Sequence, residues 1–433
     1  MSSGKPLRVA VAGLGTVGAG VVDLLARNRD LITARAGRPI EIVAVAAQSR
    51  TKDRGVDLSA MAWETGAVDL AKRSDYDVFV ELVGGSAGSA VQAVEIALNA
   101  GKPVVTANKA MLALHGGRLG QLAHDKGVAL AFEAAVAGGI PIIKALREGL
   151  AGNQFQRVYG ILNGTCNFIL TKMRQEKREF VDVLGEAQRL GYAEADPTFD
   201  VDGIDAAHKL SILASVAFGT PTNFEAVHVE GIRHVSALDI SYATELGYRI
   251  KLLGIAGLTA NGLEQRVHPC MVPLDSPIAH VEGVFNAVVA EGDAVGTSFL
   301  QGRGAGAGPT ASAVVADLID LARGHSVPTF AVPPSAMKLM PSAPITKHRG
   351  AYYIRLMVVD RPGVIADVAA ALRDEKVSME AMIQRGRDPG EVVPVVITTH
   401  ETEEAAMVRA LDRITALEAV TEPPRIIRII ERL

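Results

Sequence analysis

The stretch GYAEADPTFDVDGIDAAHKL, residues 191–210, sets five carboxylates, Glu194, Asp196, Asp200, Asp202 and Asp205, around one lysine, Lys209, in a chain whose net charge is only −4. A lysine ammonium is a compact charge with protons to give, and clustered carboxylates favour a cation beside them. The pattern suits either a solvated face or a pocket for a small polar molecule. The spacing of Ile204, Ala207, Ser211, Ala214 and Phe218 predicts a helix from about Gly203 with one packing stripe. That places Asp202 at the N-cap and Asp205 near the third helical position, with Asp205 and Lys209 four apart on one face. As an exposed pair they would contribute about 0.3–0.5 kcal/mol. This bland account leaves Glu194 and Asp200, on the preceding loop, without a role.

Other elements must position these groups. LRVAVAGLGTVGAGVVDLLARN, residues 7–28, reads as a buried strand over Arg8–Ala12, a glycine turn, and a helix from about Thr16. Gly13, Gly15 and Gly18 make a G-x-G-x-x-G pattern in the strand–turn–helix context that gives it weight. The first glycine permits the tight turn, the second lets a pyrophosphate approach the backbone, and the third lets helix and strand pack closely. The candidate dinucleotide contacts are Gly13, Leu14, Gly15, Thr16, Val17 and Gly18. The next strand, within Ile40–Arg50, should end beside the adenosine ribose, at Ala47. No carboxylate stands there for a ribose 2′-hydroxyl, and Arg50 and Lys52 follow, which favours NADP over NAD. As solvated loop charges the two cations would leave NAD open.

Two more strands, within Asp75–Gly85 and Gly101–Leu112, have polar C-terminal ends, where doubly wound sheets bind ligands. Lys109 is therefore a candidate to reach cofactor and substrate. Glycines 302, 304, 306 and 308 precede Pro309, Thr310 and an apolar helix. That is more glycine than a turn needs, and it would let backbone approach a cofactor, with Gly306 the candidate contact. The helix is expected to pack back onto the nucleotide domain.

With 433 residues, 48% hydrophobic and 21% charged, the chain reads as a soluble protein of two or three domains. No basic excess points to nucleic acid, and no apolar run reaches membrane-spanning length. Two cysteines, Cys166 and Cys270, exclude a disulfide scaffold and fit a reducing cytoplasm. FQRVYGILNG, RIKLLGIAGLT, EQRVHPCMVPL and NAVVAEG read as strands of an α+β layer. Beyond a polar, proline-bearing linker the order is strand, helix, strand, strand, helix, strand.

The segments GLGTVG, VVTANKAML, GILNGTCNFIL, GYAEADPTFDVDGIDAAHKLSIL and GRGAGAGPTASAVVADL resemble homoserine dehydrogenases along nearly the whole chain, and VVDRPGVIADVAAAL resembles the ACT domain. The implied fold is α/β, with a Rossmann-type doubly wound nucleotide domain (1–133 plus about 303–330). An α+β substrate and dimerisation domain (134–302), a linker (331–349) and a ferredoxin-like βαββαβ ACT domain (350–433) complete it. The implied activity is reversible NAD(P)H-dependent reduction of L-aspartate 4-semialdehyde to L-homoserine, in threonine, methionine and isoleucine biosynthesis. Lys209 would give a proton to the aldehyde oxygen, Glu194, Asp200 and Asp205 would hold the amino acid's ammonium and polar groups, and Lys109 would lie between cofactor and substrate.

The resemblance also implies a sodium ion held by Glu133, Val136, Gly138 and Ile140 in FEAAVAGGIP, and it makes Cys166 a packing residue rather than a nucleophile. In the ACT domain the turn from Asp360 to Gly363 leaves amides free for an amino-acid effector, with threonine the natural ligand; a purely structural pairing module is the alternative. A cytoplasmic homodimer or homotetramer without a kinase segment is expected. Two other readings stay open: another semialdehyde or amino-acid dehydrogenase, and a non-catalytic regulator that binds nucleotide and amino acid.

Overall fold

Val9, Val11, Ala10 and Ala12 are all fully buried, the pattern of a parallel strand covered by helices on both faces. In the computed structural model, which describes residues 4–385 and 390–430, they belong to the central strand of a six-stranded sheet. Its members are β1 (Leu7–Ala12), β2 (Ile40–Ala46), β3 (Ala62–Glu64), β4 (Val78–Glu81), β5 (Val104–Thr106) and β6 (Leu130–Ala131). They run in the order β3-β2-β1-β4-β5-β6 with every pairing parallel. The order reverses between β1 and β4, the switch point outside which such sheets bind ligands.

The helix Ala307–Arg323 lies against this unit although it comes late in the chain. Its Ala311, Val314, Val315 and Leu318 share one core with Val9, Val11, Val21 and Val80. Gly20 of the helix Thr16–Arg27 is needed for the approach, since a Cβ there would stand 2.9 Å from the Ala307 carbonyl oxygen. The helix starts at Ala307, capped by Gly306 at φ 115°, so Pro309 sits inside its first turn rather than ahead of it.

The remaining strands are β7 (Phe155–Ile161), β8 (His228–Val229), β9 (Tyr248–Thr259), β10 (Gly262–Pro273), β11 (Phe285–Gly292), β12 (Gly296–Arg303), β13 (Arg349–Val359), β14 (Met379–Gln384), β15 (Val392–Thr399), β16 (Thr402–Glu403) and β17 (Arg425–Ile429). They form one sheet in the order β12-β11-β7-β9-β10-β17-β13-β15-β14, with β8 on β10 and β16 on β13. The C-terminal part has the expected βαββαβ order, the two-residue β16 being an addition.

Its sheet is nevertheless continuous with the preceding one, because Cys270 and Met271 of β10 pair in parallel with Arg428 and Ile429 of β17. Arg428 closes the seam. Its Nε donates to Glu404 at 2.9 Å and its two Nη atoms to Glu230 at 3.0 and 2.9 Å, bridging both sides. The connecting segment is laid on the sheet, Leu263 N donating to Pro341 O at 2.8 Å and Ala343 N to Leu263 O at 3.0 Å. Strand β12 is absent from the sequence reading, which assigns its end to a glycine-rich turn. Its edge position leaves alternate residues exposed, so it lacks a buried apolar run. Among the described residues no helix is long and apolar enough to cross a membrane.

Candidate active site

The carboxylates of residues 191–210 separate into different jobs. Gly203, at φ 86°, caps the helix Ile204–Phe218. Asp202 is therefore not its N-cap: it ends the short helix Thr198–Val201 and pairs with Arg233. The turn at 203 needs a left-handed backbone, which glycine adopts without strain. Asp196 Oδ1 accepts from Thr198 N at 3.1 Å, and Glu194 is exposed at the rim. The long helix is buried on every side from Asp205 to Val216 rather than along one stripe. Its Asp205–Lys209 pair is accordingly no surface pair: the two residues are 3% and 8% exposed.

Lys209 Nζ donates to Asp205 Oδ2 and to the Leu162 carbonyl, both at 2.7 Å. The other Asp205 oxygen, Oδ1, lies 2.8 Å from Lys109 Nζ. Asn163 Nδ2 joins the group, donating to Asp205 Oδ2 at 2.9 Å and Asp200 Oδ1 at 2.8 Å. One buried carboxylate thus stands between two ammoniums. Burial alone would raise the Asp205 pKa, but Lys209 and Lys109 outweigh it and hold the carboxyl well below its usual range. For Lys109 burial disfavours the charge, and Asp205, aided by Asp200 and Glu194, more than restores it, so its pKa is raised. Asp200 is pushed up by burial and by the Asp205 charge.

These groups line a cleft of about 590 Å³ together with Gly304, Ala305 and Gly306. Hydrogen bonds to two acceptors leave one ammonium proton of Lys209 over, and Lys209 faces this cleft. Lys109 arrives from the other unit as the first residue of the helix Lys109–Asp125, over the ring of Phe199 at 5.7 Å. Asn108 fixes that helix start, accepting from Met111 N at 3.0 Å and donating to Gly85 O at 2.8 Å. Cys166 Sγ points to the Asp200 carbonyl at 3.2 Å, and burial raises its thiol well above the ordinary value, which suits packing rather than attack.

The glycine turn fits a dinucleotide pyrophosphate. Gly13 has φ 96°, and a Cβ there would meet Leu82 O at 2.5 Å; at Gly18 a Cβ would meet Gly13 O at 2.0 Å. Gly15 has open space around it and caps the helix Thr16–Arg27 without a side-chain partner, so the amides of Leu14, Thr16 and Val17 lie at an uncovered helix start. Ala47 follows β2, and Arg50 and Lys52 are exposed on the loop beyond it. The cation that touches the glycine turn is Arg54, which sequence reasoning missed. It donates to Leu14 O at 3.0 Å, Lys52 O at 2.8 Å and Ser49 O at 2.7 Å, and lies 5.5 Å from the Trp63 ring centre.

The residues given to a sodium ion by the resemblance lie in one buried segment, Glu133 to Ile140. The Glu133 carboxylate oxygens accept from the amides of Ile143 (3.0 Å) and Lys144 (2.8 Å), and the Ile140 carbonyl accepts from Ile142 N at 2.7 Å, which leaves lone pairs on each oxygen. Burial and the nearby Asp317 push Glu133 up to about 7. Val136 and Gly138 offer backbone carbonyls, the ligand type the resemblance implies; among the described residues no group of three or more His, Cys, Asp or Glu could hold a metal ion. In the C-terminal unit Gly363, at φ 96°, caps the helix Val364–Asp374 with no side-chain cap, and Asp360 precedes it, accepting from Gln384 Nε2 at 3.4 Å.

Asn163 and Asn286, both lining the cleft, were also missed. For Asn163 a signal existed: Asn before Gly-Thr is a helix N-cap pattern, and its Oδ1 accepts from Cys166 N at 2.8 Å.

Known proteins match this chain along nearly its whole length. Residues 13–133 match the homoserine dehydrogenase NAD-binding domain, 141–319 match homoserine dehydrogenase, and 352–418 match the ACT domain. The homoserine dehydrogenase of Pseudomonas aeruginosa is 48% identical over 432 residues, 98% of this chain and 99% of that one. The crystal structure of a homoserine dehydrogenase from Thiobacillus denitrificans superposes with a TM-score of 0.93 at 48% identity, covering 99% of each chain. A hyperthermophilic archaeal homoserine dehydrogenase in complex with NADPH gives a TM-score of 0.63 at 28% identity, over 73% of this chain and 97% of that one. Matched in fold, in nucleotide turn and in sequence across nearly its full length, the chain belongs to the homoserine dehydrogenase family.

Proposed function

We propose that the cleft reduces L-aspartate 4-semialdehyde to L-homoserine with NADPH, reversibly, within threonine, methionine and isoleucine biosynthesis. The observation that carries this reading is Lys209, fixed by Asp205 and the Leu162 carbonyl with one proton left toward the cleft. The glycine turn Gly13–Gly18 and Gly306 would hold the dinucleotide, which would supply a hydride when bound. Lys209 gives its spare proton to the aldehyde oxygen as the C=O double bond becomes a C–O single bond. One hydride and one proton convert the aldehyde to the alcohol, and Lys209 regains a proton from solvent. Asp205 holds the amine within reach of the oxygen, and Asp200 with Glu194 receives the substrate's α-ammonium. Lys109, at the junction of the two units, would lie between the dinucleotide and the substrate.

The same reading takes Arg50 and Lys52 as partners of a ribose 2′-phosphate, with Arg54 holding their loop to the glycine turn. It takes the uncapped helix start at Gly363, with Asp360, as a threonine site for feedback inhibition. The chain is divided into 1–133 plus about 303–330, 134–302 and 350–433, in a homodimer or homotetramer.

The test follows absorbance of NADPH and NADH on addition of L-aspartate 4-semialdehyde, with and without threonine. Aldehyde-dependent oxidation, faster with NADPH and slowed by threonine, is the expected result. A protein that binds NADPH but oxidises none with this aldehyde would overturn the assignment.

A further inference from the structure

Asn286 lies on β11 opposite Gly302 of β12 and is 1% exposed. Neither Oδ1 nor Nδ2 of its amide has a hydrogen-bond partner, although both are buried. Buried amides in native proteins are almost always paired, and an unpaired one is costly, so two orphaned atoms on one side chain call for a ligand. The side chain lies against backbone that only glycine allows so close. A Cβ on Gly304 would come within 2.1 Å of its Nδ2, and one on Gly164 within 3.3 Å of its Oδ1. It lines the same cleft as Lys109 and Lys209. The Gly304–Gly306 stretch beneath it leads straight into the helix Ala307–Arg323, which packs behind the dinucleotide turn. Asn286 therefore stands on the wall where the cleft meets the nucleotide-binding unit.

We propose that Asn286 recognises the carboxamide of the nicotinamide ring, and so fixes which face of the ring meets the aldehyde. The ligand must present a donor and an acceptor side by side. A carboxamide does so and pairs reciprocally with Asn, its N–H₂ to Oδ1 and its oxygen to Nδ2. An ammonium would satisfy Oδ1 alone, and a carboxylate would satisfy Nδ2 alone. The substrate's ammonium, moreover, has the carboxylates of Asp200 and Glu194 on the same cleft. This assignment rests on dinucleotide binding at the glycine turn.

The test titrates NADPH and its reduced 3-acetylpyridine analogue, which has a methyl in place of the amide N–H₂, into wild type and Asn286→Leu. Nicotinamide fluorescence reports binding without turnover. Wild type is expected to bind NADPH about tenfold more tightly than the analogue, the effect of one lost hydrogen bond at a buried acceptor. Asn286→Leu is expected to lose that preference, binding NADPH at least about tenfold more weakly while changing little toward the analogue. Asn286→Ala, which removes both amide atoms without adding volume, carries the same comparison should the Leu variant fail to fold. A preference that survives in the variants overturns the proposal. So does an unchanged NADPH affinity with a raised KM for homoserine, which would hand Asn286 to the substrate. Wild type that binds neither dinucleotide would overturn the dinucleotide reading itself, whereas wild type that binds both equally overturns only the role of Asn286.

Discussion

Replacing Asp205 by Asn removes one charge and almost no volume, yet the geometry allows no benign orientation for the new amide. Asp205 Oδ2 accepts from Lys209 and Asn163, and Oδ1 faces Lys109 at 2.8 Å. With the amide oxygen toward Lys209, the N–H₂ must face Lys109; the other way round, it faces both Lys209 and Asn163. The first arrangement costs less, because the Lys109 side chain is 35% exposed and can swing toward solvent, while that of Lys209 is 10% exposed and cannot. Removing one partner of a buried ion pair destabilises by about 3–5 kcal/mol, and relief at Lys109 places this case near 3.

The pH dependence follows from the two shifts. The Asp205 carboxyl is depressed, so its stabilisation is present above the unfolded value of about 3.9 and is lost as pH falls through the folded value. Lys109 is raised, so its share is present below about 10.4 and is lost as pH rises through its folded value. The gap between wild type and Asp205→Asn should thus be full near neutrality and narrow in acid and in strong alkali. Urea unfolding followed by circular dichroism across pH measures it. With Lys109 displaced and Lys209 loosened, kcat/KM for the aldehyde should fall by at least about 10²-fold. A loss below about 1 kcal/mol at pH 7, the size of an exposed pair, with kcat/KM within a few-fold of wild type, would refute the reasoning.

The glycine turn separates binding from folding: Gly15→Ala, in open space at φ −75°, should fold normally but weaken NADPH binding by at least about tenfold. Gly18→Ala, whose Cβ would meet the Gly13 carbonyl at 2.0 Å, should instead lose about 3 kcal/mol of stability or fail to fold. At the seam between the two parts of the large sheet, Glu230 and Glu264 are both held at about 2, burial being overcome by His228 and Arg428 for the first and by His348 and Arg266 for the second. Their stabilisation is present above about 4.3 and lost as pH falls toward 2, so Glu230→Gln should flatten acid unfolding in that window. Changing Arg50 and Lys52 together to Ala should lower NADPH affinity far more than NADH affinity; equal losses would return the two cations to the solvent.

What the sequence discloses depends on how local the constraint is. Gly13 and Gly18 are legible because each is required by backbone a few residues away or across one strand. Asp205 and Lys209 are legible as a pair because helical spacing brings them together. Their burial is not, since the residues that hold them, Leu162 and Asn163 in one segment and Lys109 in another, lie far off along the chain. Asp202 was misplaced as the cap because a carboxylate before a helix is the usual signal, while a left-handed Gly203 served instead. The union of the two sheets through β10 and β17 depends on a two-residue pairing and on Arg428, and neither leaves a periodic trace. Asn286 is an ordinary strand residue until the fold takes both partners of its amide away.

The proposed function rests most directly on Lys209 as proton donor, held in place by Asp205 and the Leu162 carbonyl. Mixing the enzyme–NADPH complex with L-aspartate 4-semialdehyde in a single turnover, for wild type and Lys209→Met, tests this directly. The account predicts that the variant binds NADPH as wild type does, and that its hydride-transfer rate falls by about 10²–10⁴-fold. Transfer at the wild-type rate, with binding intact, would contradict it.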